Sequence, residues 1–313
     1  MHTITTQSQA VDFQANFITN NVYFKVSGGL GNQFFCLSEA YRLHQKFNRR
    51  VVLDVTKIDH NKSGIPEWLD FIEDKKWAEI VRYQDDLLVS NQSKMLDLNL
   101  CDENRIKTPI NIQFSGWKFD WERVSESGLF TEGINPFLQT NAVQMEQTGI
   151  HFRGGDYFKS PGIGVLGSHY YLRALEHCSA YSNEIQIYSD DEKNARSLFG
   201  SFLEEDSFTI SQETSPLKVL NEMSRSKNFI GSNSTLSWWA AYFANQQLSV
   251  MPTPFYLQRN RNERGKKNTR KVFYINRHKN IFIQQKTALF WELLYSYEKI
   301  RKTLNKIIAF SKY

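Results

Sequence analysis

A short β-prone run, a glycine-, hydroxyl- or acid-rich turn, and then a helix recur along this chain. That alternation restricts its architecture more than any other feature. Val22 to Val26 (VYFKV), the turn SGGLGN, helical apolar spacing over Gln33 to Phe47 and a second β-prone run, Val51 to Val55 (VVLDV), make up the first such unit. From about Lys57 to Gln147 the elements cannot be ordered and no motif stands out. The alternation then resumes with a strand at Gly149 to Arg153, a helix at Tyr170 to Ala180, a strand at Glu184 to Tyr188 and a helix at Glu192 to Phe199. It continues with a helix near Leu217 to Ser224, a strand at Asn228 to Ile230, a helix at Leu236 to Ala244 and a strand at Leu248 to Met251. Such a series predicts an α/β protein of parallel sheets covered by helices.

A length of 313 residues suits two domains, and 41% hydrophobic with 23% charged residues is the composition of a soluble globular protein. Cys36, Cys101 and Cys178 lie far apart and form no CxxC pair, which argues against a zinc site or a disulfide framework and for a reducing compartment. The polar N-terminal stretch has no signal-peptide pattern, and no run is long enough to span a bilayer, so a cytoplasmic location is expected. The net charge of +5 is unevenly distributed, with the surplus concentrated in Arg259 to Lys279, whose only acid is Glu263. This run reads as a solvated loop or as a surface for anionic lipid head groups. Nucleic acid is the weaker partner, because no recognition-helix, zinc-finger or RNP pattern accompanies the run.

In a parallel sheet, ligands bind beyond the carboxyl ends of the strands, so the segments that follow the strands are the informative ones. They are GGLGN, RGGDY, Ser189 to Glu192 (SDDE) and Gly231 to Thr235 (GSNST), each glycine-rich, hydroxyl-rich or acidic. HFRGGDY, His151 to Tyr157, sets an imidazole, a guanidinium, two glycines and a carboxylate within seven residues. In SNSTLSWW, Ser232, Asn233, Ser234 and Thr235 precede a helix starting near Leu236, an arrangement suited to a phosphate and also to simple helix capping. Trp238 and Trp239 read as core, being followed by AAYFA on the same helix.

Taken together and in this order, GGLGNQFF, HFRGGDY and SNSTLSWWAAYFA resemble the three hallmark segments of the alpha-1,2-fucosyltransferase family, glycosyltransferase family 11, of the bacterial type. YSDDEKNA, from Tyr188, resembles the segment found between the last two. The likeness runs from about Val22 to Phe255. It implies a GT-B-like fold of two Rossmann-like domains with parallel sheets facing a cleft. It also implies GDP-fucose as donor, inversion at the anomeric carbon, and neither a metal nor a cofactor. On this reading residues 20–147 form an acceptor-side domain, 148–258 a donor-side domain, and 259–313 a basic loop with an amphipathic helix. The family's HxRRxD motif falls on His151, Arg153 and Asp156, the expected catalytic residues, with Arg153 also on the donor β-phosphate. Gly29, Gly31, Asn32, Arg153, Ser189, Asp190, Ser232, Asn233, Ser234 and Thr235 are the expected donor-binding set. The family's second arginine is replaced by Gly154, which opens the donor choice to other GDP-deoxysugars such as colitose. Arginine at this position is expected to lower the donor KM, provided the backbone φ is negative.

The chemistry of the residues points the same way. Breaking a sugar–phosphate bond leaves negative charge on the diphosphate, and the chain has no DxD pair to bring a divalent ion there. Arg153, always charged and able to grip two oxygens, is a substitute. His151 either donates to the same phosphate or is a packed, hydrogen-bonded residue. Asp156 either takes the proton of the acceptor hydroxyl or orients Arg153 or caps a helix. Two other functions fit parts of the sequence. A nicotinamide-dependent oxidoreductase would use the GGLGN turn with Asp54, but its third glycine position is Phe34; a non-catalytic glycan-binding module would need no phosphate site. Trp68, Trp77, Trp117 and Trp121 are suited either to the core or to stacking on sugars. Thr287 to Phe310 has apolar residues at helical spacing beside Lys299, Lys302 and Lys306. Such a helix either packs on its own domain or lies on the inner face of the cytoplasmic membrane, where a lipid-linked glycan acceptor would be met.

Overall fold

The computed structural model describes residues 21–56, 58, 68–69, 77–81, 94–97, 112–115, 121–129, 144–160, 162–178, 184–243, 248–255 and 272–277. It is an α/β protein with two parallel sheets, each in its own compact unit. That is the two-sheet organisation expected of a GT-B-like chain.

The first sheet contains β1 (Asn21–Lys25), β2 (Arg50–Asp54), β3 (Ala78–Val81), β4 (Lys94–Asp97) and β5 (Ile112–Ser115) in the order β3-β2-β1-β5-β4. Helix α1 (Leu30–Phe47) follows β1 and starts three residues before the spacing suggested. Leu30, Phe34, Phe35, Leu37, Ala40 and Leu43 are buried, which is the apolar stripe read from the sequence. Phe34 is thus a buried ring where a dinucleotide fingerprint would have its third glycine. Gln33 closes the turn before it, its Nε2 donating to the Gly28 carbonyl at 2.7 Å while Trp68 Nε1 donates to Gln33 Oε1 at 2.8 Å. Trp68 and Trp77 are buried, whereas Trp117 and the side chain of Trp121 lie outside the described residues. Helix α2 (Trp121–Ser127) completes this part of the chain.

The second sheet contains β6 (Met145–Phe152), β7 (Ile185–Ser189), β8 (Phe208–Ile210), β9 (Ser226–Ile230), β10 (Leu248–Thr253) and β11 (Val272–Asn276). Its order, β11-β10-β9-β6-β7-β8, is the doubly wound arrangement, with the reversal between β6 and β9. One face is covered by α3 (Ser168–Cys178) and α4 (Glu192–Phe199), whose Tyr170, Tyr171, Ala174 and Phe199 pack with Ile150, Phe152, Ile187 and Val250. Each such large side chain contributes about 1.5–3 kcal/mol by leaving water. Helices α5 (Pro216–Arg225) and α6 (Thr235–Phe243) pack on each other, and α5 also contacts β6 and β9. Helix starts follow local chemistry. Asp191 caps α4 by accepting from Asn194 N, and Ser215 caps α5 ahead of Pro216. Trp238 and Trp239 are buried, as expected.

The reading of 259–313 as a basic loop and helix needs correction at Val272–Asn276, which is a strand paired in parallel with β10. VFYIN is a β-prone run between charges, and its Ile275 is buried. The strand β8, three residues long, and the four-residue strands β3 to β5 also went unread. Thr287 to Phe310 and Cys101 lie outside the described residues, while Cys36 and Cys178 are buried free thiols. Among the described residues no helix is long and apolar enough to cross a membrane.

Candidate active site

Strand β6 delivers HFRGGDY and β9 delivers GSNST to the point where the strand order reverses, with Ile150 in register with Ile230. On the other side of β6, Phe152 is in register with Ser189, so SDDE emerges alongside. Three of the four predicted segments thus meet at one edge of one sheet, where doubly wound proteins bind ligands. The fourth comes in part. Gly29–Gly31 clusters with this second unit, and Trp239 Nε1 donates to the Gly31 carbonyl at 2.8 Å. A Cβ on Gly31 would lie 2.6 Å from the Thr235 carbonyl carbon, so only glycine fits there, whereas one on Gly29 would meet nothing within 4 Å. Asn32 belongs to the first unit, and its Oδ1 is buried without a partner.

Arg153 is at the centre of this edge. Its Nη2 lies 2.7 Å from Asp156 Oδ1, its Nη1 lies 3.0 Å from Asp190 Oδ2, and the guanidinium carbon is 5.2 Å from the centre of the Tyr157 ring. The side chain keeps 32% exposure and Asp156 keeps 64%, so the outer ion pair is screened by water and is open to exchange for another anion. Asp190 is more enclosed. It also accepts the Gly154 N–H at 3.0 Å, and burial raises its pKa although Arg153 and that N–H oppose the shift. Asp156 thus stands in the orienting geometry for Arg153. Burial pushes the Tyr157 phenol to about 12, and its hydroxyl donates to the Asn233 carbonyl at 3.4 Å.

His151 is buried, and burial, followed by the charge of Arg153, lowers its pKa to about 3, so the ring is neutral. Its Nδ1 is 2.6 Å from Ser237 Oγ and 3.3 Å from Ser232 Oγ, and Tyr171 supports its backbone by donating to the His151 carbonyl at 3.1 Å.

The remaining predicted residues hold this edge in shape. Ser189 Oγ accepts the Asp191 N–H at 2.9 Å, tightening the turn that aims Asp190 inward. Ser232 joins the His151 cluster. Asn233 Nδ2 donates to the carbonyls of Ile163 and Gly164 at 3.1 and 2.7 Å. Ser234 Oγ accepts the Leu236 N–H at 3.3 Å, and Thr235 faces Gly31. Gly154 has φ −104°, so a negative φ is present, but a Cβ would come within 2.9 Å of Asp191 Cβ and Oδ2 and of Phe152 Cε1. The expectation that arginine is accommodated there must be revised, because Asp191 is fixed as the cap of α4.

Three residues that sequence reasoning passed over belong to the edge. Tyr157 and Ser237 sat inside motifs already singled out. Arg277 was counted among the cations of the basic run, yet it is mostly buried, and its guanidinium donates to the carbonyls of Ile163, Gly164, Val165 and Phe255. Nothing in its local sequence separated it from its solvated neighbours.

A doubly wound sheet whose reversal point carries a guanidinium and a buried imidazole is suited to holding a nucleotide or sugar phosphate. The chain belongs to glycosyl transferase family 11, whose model matches residues 135–308. The O-antigen biosynthesis glycosyltransferase WbnK of Escherichia coli is 25% identical to it, over 74% of this chain and 93% of the relative. Among solved structures, the fucosyltransferase NodZ from Bradyrhizobium is similar with 11% identity and a TM-score of 0.48, covering 72% of this chain and 93% of that one. The E. coli ADP-heptose heptosyltransferase II is similar with 10% identity and a TM-score of 0.47, covering 82% and 90%. The protein is a glycosyltransferase, and this membership replaces the oxidoreductase and lectin alternatives.

Proposed function

We propose that the protein transfers L-fucose, or a related deoxysugar such as colitose, from a GDP-linked donor to a hydroxyl of a glycan. The acceptor bond is alpha-1,2 to galactose in a surface polysaccharide repeat unit, and the anomeric carbon inverts. The observation that carries this reading is Arg153, a partly exposed guanidinium at the reversal point of the donor-side sheet, anchored by Asp190 and held on its outer side by Asp156, which an incoming diphosphate can replace. Charge gathers on the leaving diphosphate as the glycosidic bond breaks, and a fixed cation there lowers the barrier without a divalent ion. The acceptor hydroxyl loses its proton to a carboxylate, for which Asp156, 64% exposed, is accessible. The relationship to an O-antigen enzyme supports the choice of a polysaccharide acceptor.

A screen of GDP-fucose and other GDP-deoxysugars, following GDP release with and without EDTA, tests the reading. Release from a GDP-deoxysugar that persists in chelator is expected. Release from none of them removes the donor assignment, and release abolished by chelator removes the metal-free mechanism. The basic, amphipathic C-terminal pattern supports contact with anionic lipid near a lipid-linked acceptor; failure of anionic liposomes to retain the full-length protein at low salt would refute it.

A further inference from the structure

The three side chains His151, Ser232 and Ser237 are buried together, and their hydrogens can be counted. Ser237 Oγ accepts the backbone N–H of Ser232 at 2.9 Å. It also lies 2.6 Å from His151 Nδ1 and 3.1 Å from Ser232 Oγ, which is itself 3.3 Å from Nδ1. A hydroxyl has one hydrogen and two lone pairs, and a neutral imidazole has one N–H and one acceptor nitrogen.

Suppose first that the ring hydrogen is on Nδ1. It then donates to Ser237 Oγ, whose second lone pair is filled by the Ser232 N–H. Ser237 must donate to Ser232 Oγ, and the Ser232 hydroxyl hydrogen is left with no acceptor in the cluster. Leaving such a hydrogen unpaired in a buried place costs about 1–3 kcal/mol. Now put the ring hydrogen on Nε2. Ser237 donates to Nδ1, Ser232 donates to Ser237 through both its N–H and its hydroxyl, and both serines are satisfied inside the cluster; the one hydrogen left over is the ring N–H at Nε2, which is not among the fully enclosed atoms without a partner.

We propose that Ser237, backed by Ser232, is a positioning residue for the transfer reaction: it fixes His151 as the Nε2–H tautomer, so that the ring presents one neutral N–H donor to the departing diphosphate. The ring's hydrogen bonds among the described residues all run through Nδ1, and Nε2 is the atom left for a ligand. His151 lies two residues before Arg153, at the end of the strand, close enough for the Arg153 charge to act on its ring. The tautomer assignment stands on the cluster alone, whereas its use in transfer rests on the function proposed above.

Histidine-selective 15N labelling of the full chain reads the tautomer directly, with His151→Gln identifying the resonances. A pyridine-type signal at Nδ1 and a pyrrole-type signal at Nε2 are expected without any ligand, and the reverse pattern overturns the proposal. Added GDP is expected to shift the Nε2 signal. GDP that binds and leaves it unmoved overturns the role toward the diphosphate. A protein that binds no GDP defeats the donor reading while the ligand-free spectrum still decides the tautomer. Ser232→Ala should keep the single tautomer. Ser237→Ala, left with only the longer contact, should give averaged ring signals and lower kcat about tenfold or more with a smaller change in donor KM, and Ser237→Thr should restore both. A folded Ser237→Ala protein with the parent tautomer and the parent kcat would also refute the proposal.

Discussion

Arg153 is oriented by carboxylates on two sides before any donor arrives, at 2.7 Å from Asp156 and 3.0 Å from Asp190. Asp190 is the inner anchor because it also holds the Gly154 N–H, while Asp156 is the outer and replaceable one. If the guanidinium acts mainly on charge that develops in the transition state, Arg153→Ala should lower kcat by roughly a hundredfold or more, with less effect on GDP affinity. Arg153→Lys should recover little, because an ammonium cannot reproduce a two-oxygen grip. GDP-release kinetics on variants shown by circular dichroism to be folded measure this, and a parent-like alanine variant would make Arg153 structural. Gly154 carries a prediction of the opposite kind. Its missing Cβ leaves the space taken by the cap of α4, so Gly154→Arg should lower the melting temperature without improving donor KM, and Gly154→Ala alone should cost about 1–3 kcal/mol. An arginine variant as stable as the parent, with a lower KM, would show that Asp191 gives way.

At the scale of elements, legibility followed how much of the fold was local. Helices with a capping residue and a clear apolar stripe were read within a few residues, and α4 was read to its ends, because Asp191 supplies the start. Strands of three or four residues carry too little pattern, and β11 was lost because cations flank VFYIN. Arg277 shows the same limit in energetic form. Its burial depends on carbonyls more than a hundred residues earlier, at Ile163, Gly164 and Val165, which no local window contains. Those carbonyls belong to the loop before α3 that Asn233 also holds, so β11, α3 and the segment after β9 are tied through it. Burial lowers the Arg277 pKa to about 10, still charged at neutral pH. Replacing it by methionine keeps an apolar stem but leaves Val165 and Phe255 without this donor, for an expected loss of about 2–3 kcal/mol in urea unfolding. A loss below half of that would mean that water replaces the guanidinium.

For the molecule as a whole, the sequence showed that sheets and helices alternate, and the family resemblance pointed to the edge that matters. The strand order that makes β6 and β9 neighbours was not legible, because register between segments some eighty residues apart is set by packing rather than by either segment. That packing buries His151, and the burial has a consequence for the stability of the entire fold. Between its ordinary pKa of 6.5 and the folded value of about 3, the unfolded chain binds a proton at His151 that the folded chain does not. Stability therefore rises with pH across that window, and on acidification it falls by about 1.4 kcal/mol per unit until the folded ring also titrates. Asp190 and Glu222, whose pKa values burial raises, act in the opposite sense just above the ordinary carboxylate range, so the total curve mixes both effects. A difference isolates the histidine. His151→Gln should be less stable than the parent at pH 7, where it loses a packed ring, but the gap should narrow steadily as the pH is lowered from about 6.5 toward 4. Urea melts of both proteins at half-unit intervals measure it, and a gap that stays constant would mean that the ring takes up a proton in the folded state as readily as in the unfolded one.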